Sequence, residues 1–473
     1  MNQAPVPLTA EGIAAVAGGR VVQGDPATPI GRISIDSRRI EAGDLFVAIR
    51  GERFDGHRFV PDALARGAVG AVVRDAGEIE EERSGTGSGP VLVLVEDTTQ
   101  ALQAVARDVR RRSGTRVVAI TGSAGKTTTK EVSAEFLVTR FRVFRNKGNL
   151  NNHIGLPLSL IELRSRPDIA VVELGMNHPG EIRTLIGIAE PEVRVWTNVG
   201  DAHLGFFESA DALAEAKAEI LENARPDDLL IANANDARVM ARARRFDGRV
   251  VTFGLNTAAD VQAIAIELRG LEGTRAKVRT AVGETDLRVP LLGLGNLSNV
   301  LAATAVALEF GVPLDAIRKR AATLTPAPHR GELLRLPGGV TVVDDSYNSS
   351  PAALRRALEL VRSATGCART VAVLGEMLEL GAHAERLHAE SGRAAAESGL
   401  EILIAVGGAP ARRLAAAAVA AGMPAANVAH VATKQEAADL AASRVRPGDL
   451  VLVKGSRGIG TDFVVERLRA EFA

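Results

Sequence analysis

At 473 residues the chain is too long for one hydrophobic core and predicts two to four domains. Lys+Arg and Asp+Glu both number 57, so no global field draws in nucleic acid or anionic lipid, and any anionic ligand must be held by a local site. A hydrophobic fraction of 46% with 24% charged residues is that of a globular chain in water, and an aromatic fraction of only 3% argues against a base-stacking surface.

No apolar run is long enough to span a bilayer, and the alanine-rich stretch from Leu414 to Gly422 is too short. The opening residues Met1-Asn-Gln-Ala-Pro-Val-Pro7 lack the charged and apolar regions of a signal peptide. Cys367 stands alone, which excludes an intrachain disulfide and a cysteine-based zinc site. A cytoplasmic setting without membrane insertion is expected.

Residues 1–112 read as a first, small α/β domain. Arg32 to Arg38 alternates like a strand, and Gly43 to Ile49 gives another. Phe59 to Arg66 reads as helix, Ala68 to Val73 and Val91 to Val95 as strands, and the charged, Gly/Ser-rich segment Glu78 to Pro90 as an exposed loop. Thr98 to Arg112 is an amphipathic helix ending in a basic tract, with Ser113-Gly114 as the joint. Arg110, Arg111 and Arg112 read either as an anion patch or, better, as a solvated helix end favoured by the dipole.

The stretch Arg116-Val-Val-Ala-Ile-Thr-Gly-Ser-Ala-Gly-Lys-Thr-Thr-Thr-Lys130 organises the second domain, 113–325. A buried β-branched strand runs into Gly122-Ser123-Ala124-Gly125, and a helix opens at Lys126-Thr127-Thr128. Strand, glycine turn and helix N-terminus direct backbone N–H groups and a positive dipole end at one point, a cradle for a nucleoside triphosphate. Lys126 adds charge for the terminal phosphates and Thr127 a hydroxyl for magnesium. The loop is shorter than the general phosphate-loop pattern, which places four residues between its first glycine and the Gly-Lys pair.

Downstream, Asn146 to Pro157 is too rich in Asn and Gly for a regular element; its amides are turn formers or surround a polar ligand. Glu173 closes the apolar strand that begins at Ile169, where a carboxylate is placed to hold magnesium or to form a rim salt bridge. His203 follows the strand Val193 to Asn198, and Lys217 lies in a helix from Ala210 to Asn223. Strands at Leu229–Ile231 and Val250–Phe253 continue the sheet, and from Val261 to Val289 two-residue alternation predicts added antiparallel hairpins. Asn296 and Asn299 stand at the start of an alanine-rich helix, where they cap it or reach a ligand base.

The third domain, 326–473, alternates strands (Val340–Val343, Val371–Leu374, Ile402–Val406, Leu450–Val453) with helices (351–362, 384–397, 410–421, 434–443), which predicts a Rossmann-like parallel sheet. Polar clusters follow three of its strands: Asp344 to Pro351, Gly375 to Gly381 and Lys454 to Gly458.

These residues resemble the Mur ligases, ATP-dependent amide-bond-forming enzymes of peptidoglycan precursor synthesis. The likeness covers nearly the whole chain and rests on Thr121-Gly-Ser-Ala-Gly-Lys-Thr127, Asn198-Val-Gly-Asp-Ala-His-Leu204 and Lys454-Gly-Ser-Arg457. Asp55-Gly-His57, Gly148-Asn-Leu-Asn-Asn152, Asn177-His-Pro-Gly-Glu-Ile182, Asp345-Ser-Tyr-Asn348 and Leu374 to Gly381 look like the member that adds D-alanyl-D-alanine to UDP-N-acetylmuramoyl-tripeptide. The resemblance implies three domains, for UDP-sugar, ATP and the amino substrate in that order, acting as a monomer on small molecules and not on nucleic acid. It implies that Gly122, Ser123, Ala124, Gly125, Lys126, Thr127 and Thr128 cradle ATP, with Asn296, Asn299, Arg330 and Asp345 as further nucleotide contacts. Thr127, Glu173, His203 and Lys217 would hold magnesium, Lys217 as a carbamate, and Lys126, His203 and Lys217 would be catalytic. Substrate contacts would be Ser37, Arg38, Asn149, Asn151, Asn152, Tyr347, Asn348 and Lys454. The chain departs from the family at Glu208 and His329, where glycine is common, and at Ser349-Ser350, where Ala-Asn is usual. Two other readings stay open: a related ligase joining an amino acid to another acceptor, such as folylpolyglutamate synthase, and a phosphate-loop switch without a small-molecule acceptor.

Overall fold

The computed structural model describes residues 4–51, 54–74, 89–200 and 204–473. The chain forms two compact units, one made of Met1–Ala119, Phe141–Met176 and Gly180–Glu192, the other of Ile120–Arg140, Asn177–Pro179 and Val193–Ala473. Most of the loop expected from Glu78 to Pro90 lies outside the described residues. No helix among those described is long and apolar enough to cross a membrane.

The first unit holds a five-stranded sheet in the order Arg20–Gln23, Val91–Leu94, Gly70–Val73, Leu45–Val47, Ile33–Ser34. The first pair is antiparallel and the others parallel. Phe46, Ala71, Val73 and Leu92 pack under Val60 and Ala63 of the helix Val60–Ala65. The strand expected over Arg32 to Arg38 stops after two residues, because Asp36 accepts the backbone N–H of Arg38 and turns Ser37–Arg39 into a 3-10 helix. The helix Thr98–Ser113 starts where Asp97 accepts the N–H groups of Thr99 and Gln100, and stops at left-handed Gly114, φ +71. Val143–Arg145 and Ile169–Glu173 pair in parallel, and a helix begins at Gly155, inside the stretch expected to be irregular.

The solvated helix end holds for the exposed Arg111 and Arg112 and fails for Arg110. Arg110 is buried, and its guanidinium donates to the carbonyls of Ala189 and Glu190 and to Glu192 Oε1. Arg111 is paired with Glu190, and Arg112 with Asp108 one turn back. Glu192 also accepts the backbone N–H of Val117 at 2.7 Å. Arg110 and Arg111 therefore fasten the helix to the chain around 189–192, a partnership that local sequence does not reveal.

In the second unit, Val193–Trp196, Leu229–Asn233, Arg249–Leu255 and Val261–Leu268 run parallel. Thr274–Thr280 and Gly283–Val289 then add antiparallel, as the two-residue alternation predicts. The same unit carries a six-stranded sheet ordered Glu332–Arg335, Thr341–Asp345, Leu450–Lys454, Thr370–Gly375, Ile402–Val406, Val428–Val431. Only its first pair is antiparallel. Its faces are buried by two separate clusters, Leu354, Leu358, Leu387 and Leu414 on one and Ala437, Val464, Val465 and Leu468 on the other, so helices cover both sides of the sheet. The strands at its two edges and the helix Asp462–Glu471 went unpredicted; the four expected helices are all present.

Replacing Arg110 by Met takes the guanidinium away from the Glu192 carboxylate and from two carbonyls in a partly buried place. Chemical unfolding should show a loss of about 3 kcal/mol; a change below about 0.5 kcal/mol, the range of an ordinary surface substitution, would show that the guanidinium is not a tie.

Candidate active site

The strand Arg116–Thr121 delivers the chain into Gly122 and the helix Lys126–Leu137 takes it out after Gly125. Both glycines have positive φ, +150 and +84. A Cβ on Gly122 would strike the Thr197 hydroxyl, and one on Gly125 the Asn299 amide, so close approach as well as backbone angle requires glycine. The helix N-cap is Gly125 itself, without a side-chain acceptor for the first-turn N–H groups.

Two residues beyond the loop hold its shape. Asn198 accepts the Ala124 N–H through Oδ1 (2.9 Å), donates from Nδ2 to the Ala124 carbonyl (3.0 Å), and accepts the Ser123 N–H at its own carbonyl (3.0 Å). The Thr197 hydroxyl donates to the same Ala124 carbonyl at 2.7 Å. Lys126 folds back, its Nζ 2.9 Å from the Gly122 carbonyl. Sequence reading did not single out Thr197 or Asn198 as site residues; their position directly after a buried strand was the available signal.

A cavity of about 500 Å³ opens beside the loop. It brings Ser123, Ala124, Gly125 and Thr128 together with Asn296, Asn299, Arg330, Asp345, Tyr347, Asn348 and Lys454; the unpredicted Asn233 and Asn235 also line it. Gly122, Lys126 and Thr127 do not line it. Neither Asn296 nor Asn299 caps its helix: the N-cap is Leu292, Asn296 Nδ2 donates to the Leu292 carbonyl at 2.9 Å, and buried Asn299 lies against Gly125. At the strand ends, Lys454 Nζ is 2.6 Å from Asp345 Oδ2 and 3.0 Å from the Asn348 carbonyl, with the lysine 3% exposed. The Arg330 guanidinium lies 4.1 Å from the centroid of the Tyr347 ring, a cation–π contact.

Lys217, near the end of the helix Ala210–Ala218, is fully enclosed. Burial pushes its amine well below the usual lysine pKa, and the Lys126 charge pushes the same way. No carboxylate among the described residues pairs with it.

The remaining candidates, His203 and Thr127 apart, lie in the first unit. Glu173 is buried at its strand end, with Oε1 accepting from Asn151 Nδ2 at 2.5 Å and its backbone N–H donating to Asn146 Oδ1. Asn152 accepts the Gly155 N–H at 2.8 Å and so starts the next helix, while Asn149 contributes its carbonyl to the turn. The amides thus do local work, as turn formers should, and Asn151 also orients a carboxylate. Ser37 and Arg38 share the 3-10 helix, where Arg38 makes a two-pronged pair with Asp36 that lowers the aspartate pKa. In the tract Asp55-Gly-His57, His57 Nδ1–H donates to Asp55 at 2.6 Å while Nε2 accepts the Arg74 N–H, which fixes one neutral tautomer. His203 lies outside the described residues. Among those described no cluster of three His, Cys, Asp or Glu side chains is set to bind a metal. The oxygen donors of Thr127 and Glu173 nonetheless suit magnesium chemically.

A glycine loop entering a helix, a cavity rimmed by two sheets of the same unit and an enclosed lysine describe a nucleotide-dependent enzyme of the ligase class. Residues 29–113 match the family description "Mur ligase family, catalytic domain", 120–307 "Mur ligase middle domain" and 329–457 "Mur ligase, glutamate ligase domain". The chain belongs to the Mur ligase family, an ATP-dependent ligase family, and has its three-domain α/β fold. It is 34% identical over 445 residues to the UDP-N-acetylmuramoyl-tripeptide–D-alanyl-D-alanine ligase of Bacillus subtilis (strain 168), covering 93% of each chain. The crystal structure of MurF from Acinetobacter baumannii superposes with a TM-score of 0.86 at 32% identity, over 99% of this chain and 100% of that one. The MurF ligase from Thermotoga maritima in complex with ADP gives 0.80 at 29% identity, over 93% and 97%.

Asn198→Ala removes two hydrogen bonds to the loop and leaves the strand before it intact. At roughly 1 kcal/mol per bond, nucleotide affinity should fall about thirtyfold with little change in melting temperature; titration calorimetry with an ATP analogue checks this, and unchanged affinity would show that the loop holds itself.

Proposed function

We propose that the chain joins D-alanyl-D-alanine to UDP-N-acetylmuramoyl-tripeptide using ATP, giving UDP-N-acetylmuramoyl-pentapeptide, ADP and phosphate in the cytoplasmic part of peptidoglycan synthesis. The observation that carries this is the cavity that gathers the glycine loop, the Asn296–Asn299 pair and the Arg330–Tyr347–Asp345–Lys454 cluster, in a chain alike along almost its whole length to ligases of that name. Residues 1–112 take the UDP-sugar through Ser37, Arg38 and the loop Asn149, Asn151, Asn152; 113–325 take ATP; 326–473 take the dipeptide with Tyr347, Asn348 and Lys454. The enzyme works as a monomer.

A peptide carboxylate is a poor electrophile, so the terminal phosphoryl group of ATP must first convert it to an acyl phosphate, which the dipeptide amine then attacks with release of phosphate. The helix N-terminus at Gly125–Thr128, held in place by the Asn198 bonds to Ser123 and Ala124, receives the phosphates. Lys126, already directed at the loop, swings its charge onto the γ-phosphoryl group as negative charge builds. Asn296 and Asn299 meet the base, and Asp345 and Arg330 complete the nucleotide contacts. Thr127, Glu173 and His203 would hold magnesium, which would supply further positive charge during phosphoryl transfer. Burial lowers the Lys217 pKa and so favours the unprotonated amine, whose nitrogen adds to the carbon of carbon dioxide and loses a proton to solvent; the resulting carbamate replaces a buried cation precursor with an anion whose oxygens would suit a magnesium ion. Water destroys an acyl phosphate, so these residues must enclose it.

Phosphate release and product mass, measured with each substrate omitted in turn, test the reaction: both should require the nucleotide-sugar tripeptide, and the pentapeptide should form only with D-alanyl-D-alanine. Lys126→Ala should lower the rate about a thousandfold. Equal phosphate release without the dipeptide would leave an ATPase and sink the assignment.

The carbamate has its own readout. Labelled bicarbonate should give one bound carbamate signal in the wild type and none in Lys217→Ala. Because burial lowers the lysine pKa, the amine is neutral above that lowered value and protonated below it, so the signal should fade as pH falls. A signal that persists in Lys217→Ala would place the modification elsewhere.

A further inference from the structure

His329 occupies the left-handed region of backbone space, φ +61, where glycine is the usual occupant and a side chain is disfavoured. Three ties hold it there. Its Nδ1 is 2.8 Å from Asp344 Oδ2, and Asp344 is completely buried. A carboxylate only accepts, so Nδ1 carries the hydrogen. The other Asp344 oxygen accepts the Ser346 hydroxyl at 2.5 Å and the Ser346 N–H at 3.2 Å, so the carboxylate is itself locked. The backbone supplies the remaining ties: Tyr347 N–H donates to the His329 carbonyl (3.1 Å), and Gly331 N–H to the Asp344 carbonyl (2.9 Å).

The consequence falls on the residue between them. Arg330 has its base fixed on one side by His329 and on the other by Gly331, both stapled to the end of the strand Thr341–Asp345. Its guanidinium lies on the Tyr347 ring, whose own backbone N–H is one of the staples. Arg330, Tyr347 and Asp345 all line the cavity beside the glycine loop. A long, flexible cation in an open cavity would otherwise sample many rotamers and lose entropy on meeting a ligand. Here the ring fixes its far end and the imidazole–carboxylate pair its near end.

We propose that His329 is a positioning residue for nucleotide binding: its imidazole, clamped to Asp344, presets the backbone from which Arg330 reaches the nucleotide. The role is indirect, because Arg330 makes the contact and His329 sets where it starts. This inference rests on the nucleotide role proposed for Arg330 above.

The test compares the full-length chain with His329→Gly, His329→Ala, Arg330→Ala and the His329→Gly/Arg330→Ala double variant. Glycine relieves the backbone strain and removes the imidazole, so it separates fold from positioning and remains informative if the alanine variant fails to fold. His329→Gly should melt within a few degrees of the wild type, yet raise the KM for ATP and the dissociation constant of a non-hydrolysable ATP analogue about tenfold, the scale of one charge-assisted contact. The KM for the dipeptide should stay unchanged, and free imidazole should restore part of the affinity. In the Arg330→Ala background the glycine substitution should cost nothing further. Wild-type analogue affinity in His329→Gly, or an effect that adds in full to Arg330→Ala, would overturn the positioning role and leave the functional reading standing. A wild-type chain that fails to bind the analogue would take both down.

Discussion

The site depends on the hold that Thr197 and Asn198 keep on the carbonyl of Ala124. A turn as short as Gly122–Gly125 has too few residues to bond to itself, and both its glycines sit at positive φ. Left alone it would sample many shapes, and its N–H groups would point together only briefly. Asn198 supplies a donor and an acceptor to the two peptide units flanking Ala124, and Asn299 closes over Gly125 so tightly that no side chain fits there. The proposed anion cradle is thus preformed by amides reaching in from a strand end and a helix, and the shortness of the loop becomes an advantage in rigidity.

Around that cradle the cations are disposed in different ways. Lys126 is tethered to the loop it serves, and Lys454 is buried and neutralised by Asp345. Lys217 is enclosed until its charge is disfavoured, and Arg330 is spread across a tyrosine ring. The Lys454–Asp345 pair deserves its place for orientation more than for stability, since removing both charges from water offsets much of their attraction. What it fixes is the rim of the cavity, where the ends of two neighbouring parallel strands are joined across their register.

Much of the architecture was legible because its strands are buried on both faces. Val117–Ile120, Ile402–Val406 and Leu450–Val453 are β-branched and leucine-rich runs bounded by polar turns, and such runs have few alternatives to a central strand. The edge strands Arg20–Gln23, Glu332–Arg335 and Val428–Val431 were missed for the complementary reason: they are short, only half-buried and mixed in polarity, so no period marks them. The basic end of Thr98–Ser113 misled differently. Nothing within the helix announces that Arg110 points at carbonyls about eighty residues away.

The sequence by itself determined the glycine loop and its helix and pointed to the class of ligand proposed for them, because that chemistry is written within fifteen adjacent residues. It also marked Glu173, Asn296, Asp345 and Lys454 as polar groups at element ends. Only the tertiary structure decided that Asn198 shapes the loop, that Asn299 seals it, that Lys217 is enclosed, and that His329 is tied to Asp344. Those are relations between residues brought together by folding, and burial and hydrogen bonding depend on neighbours in space, which local patterns of polarity do not encode.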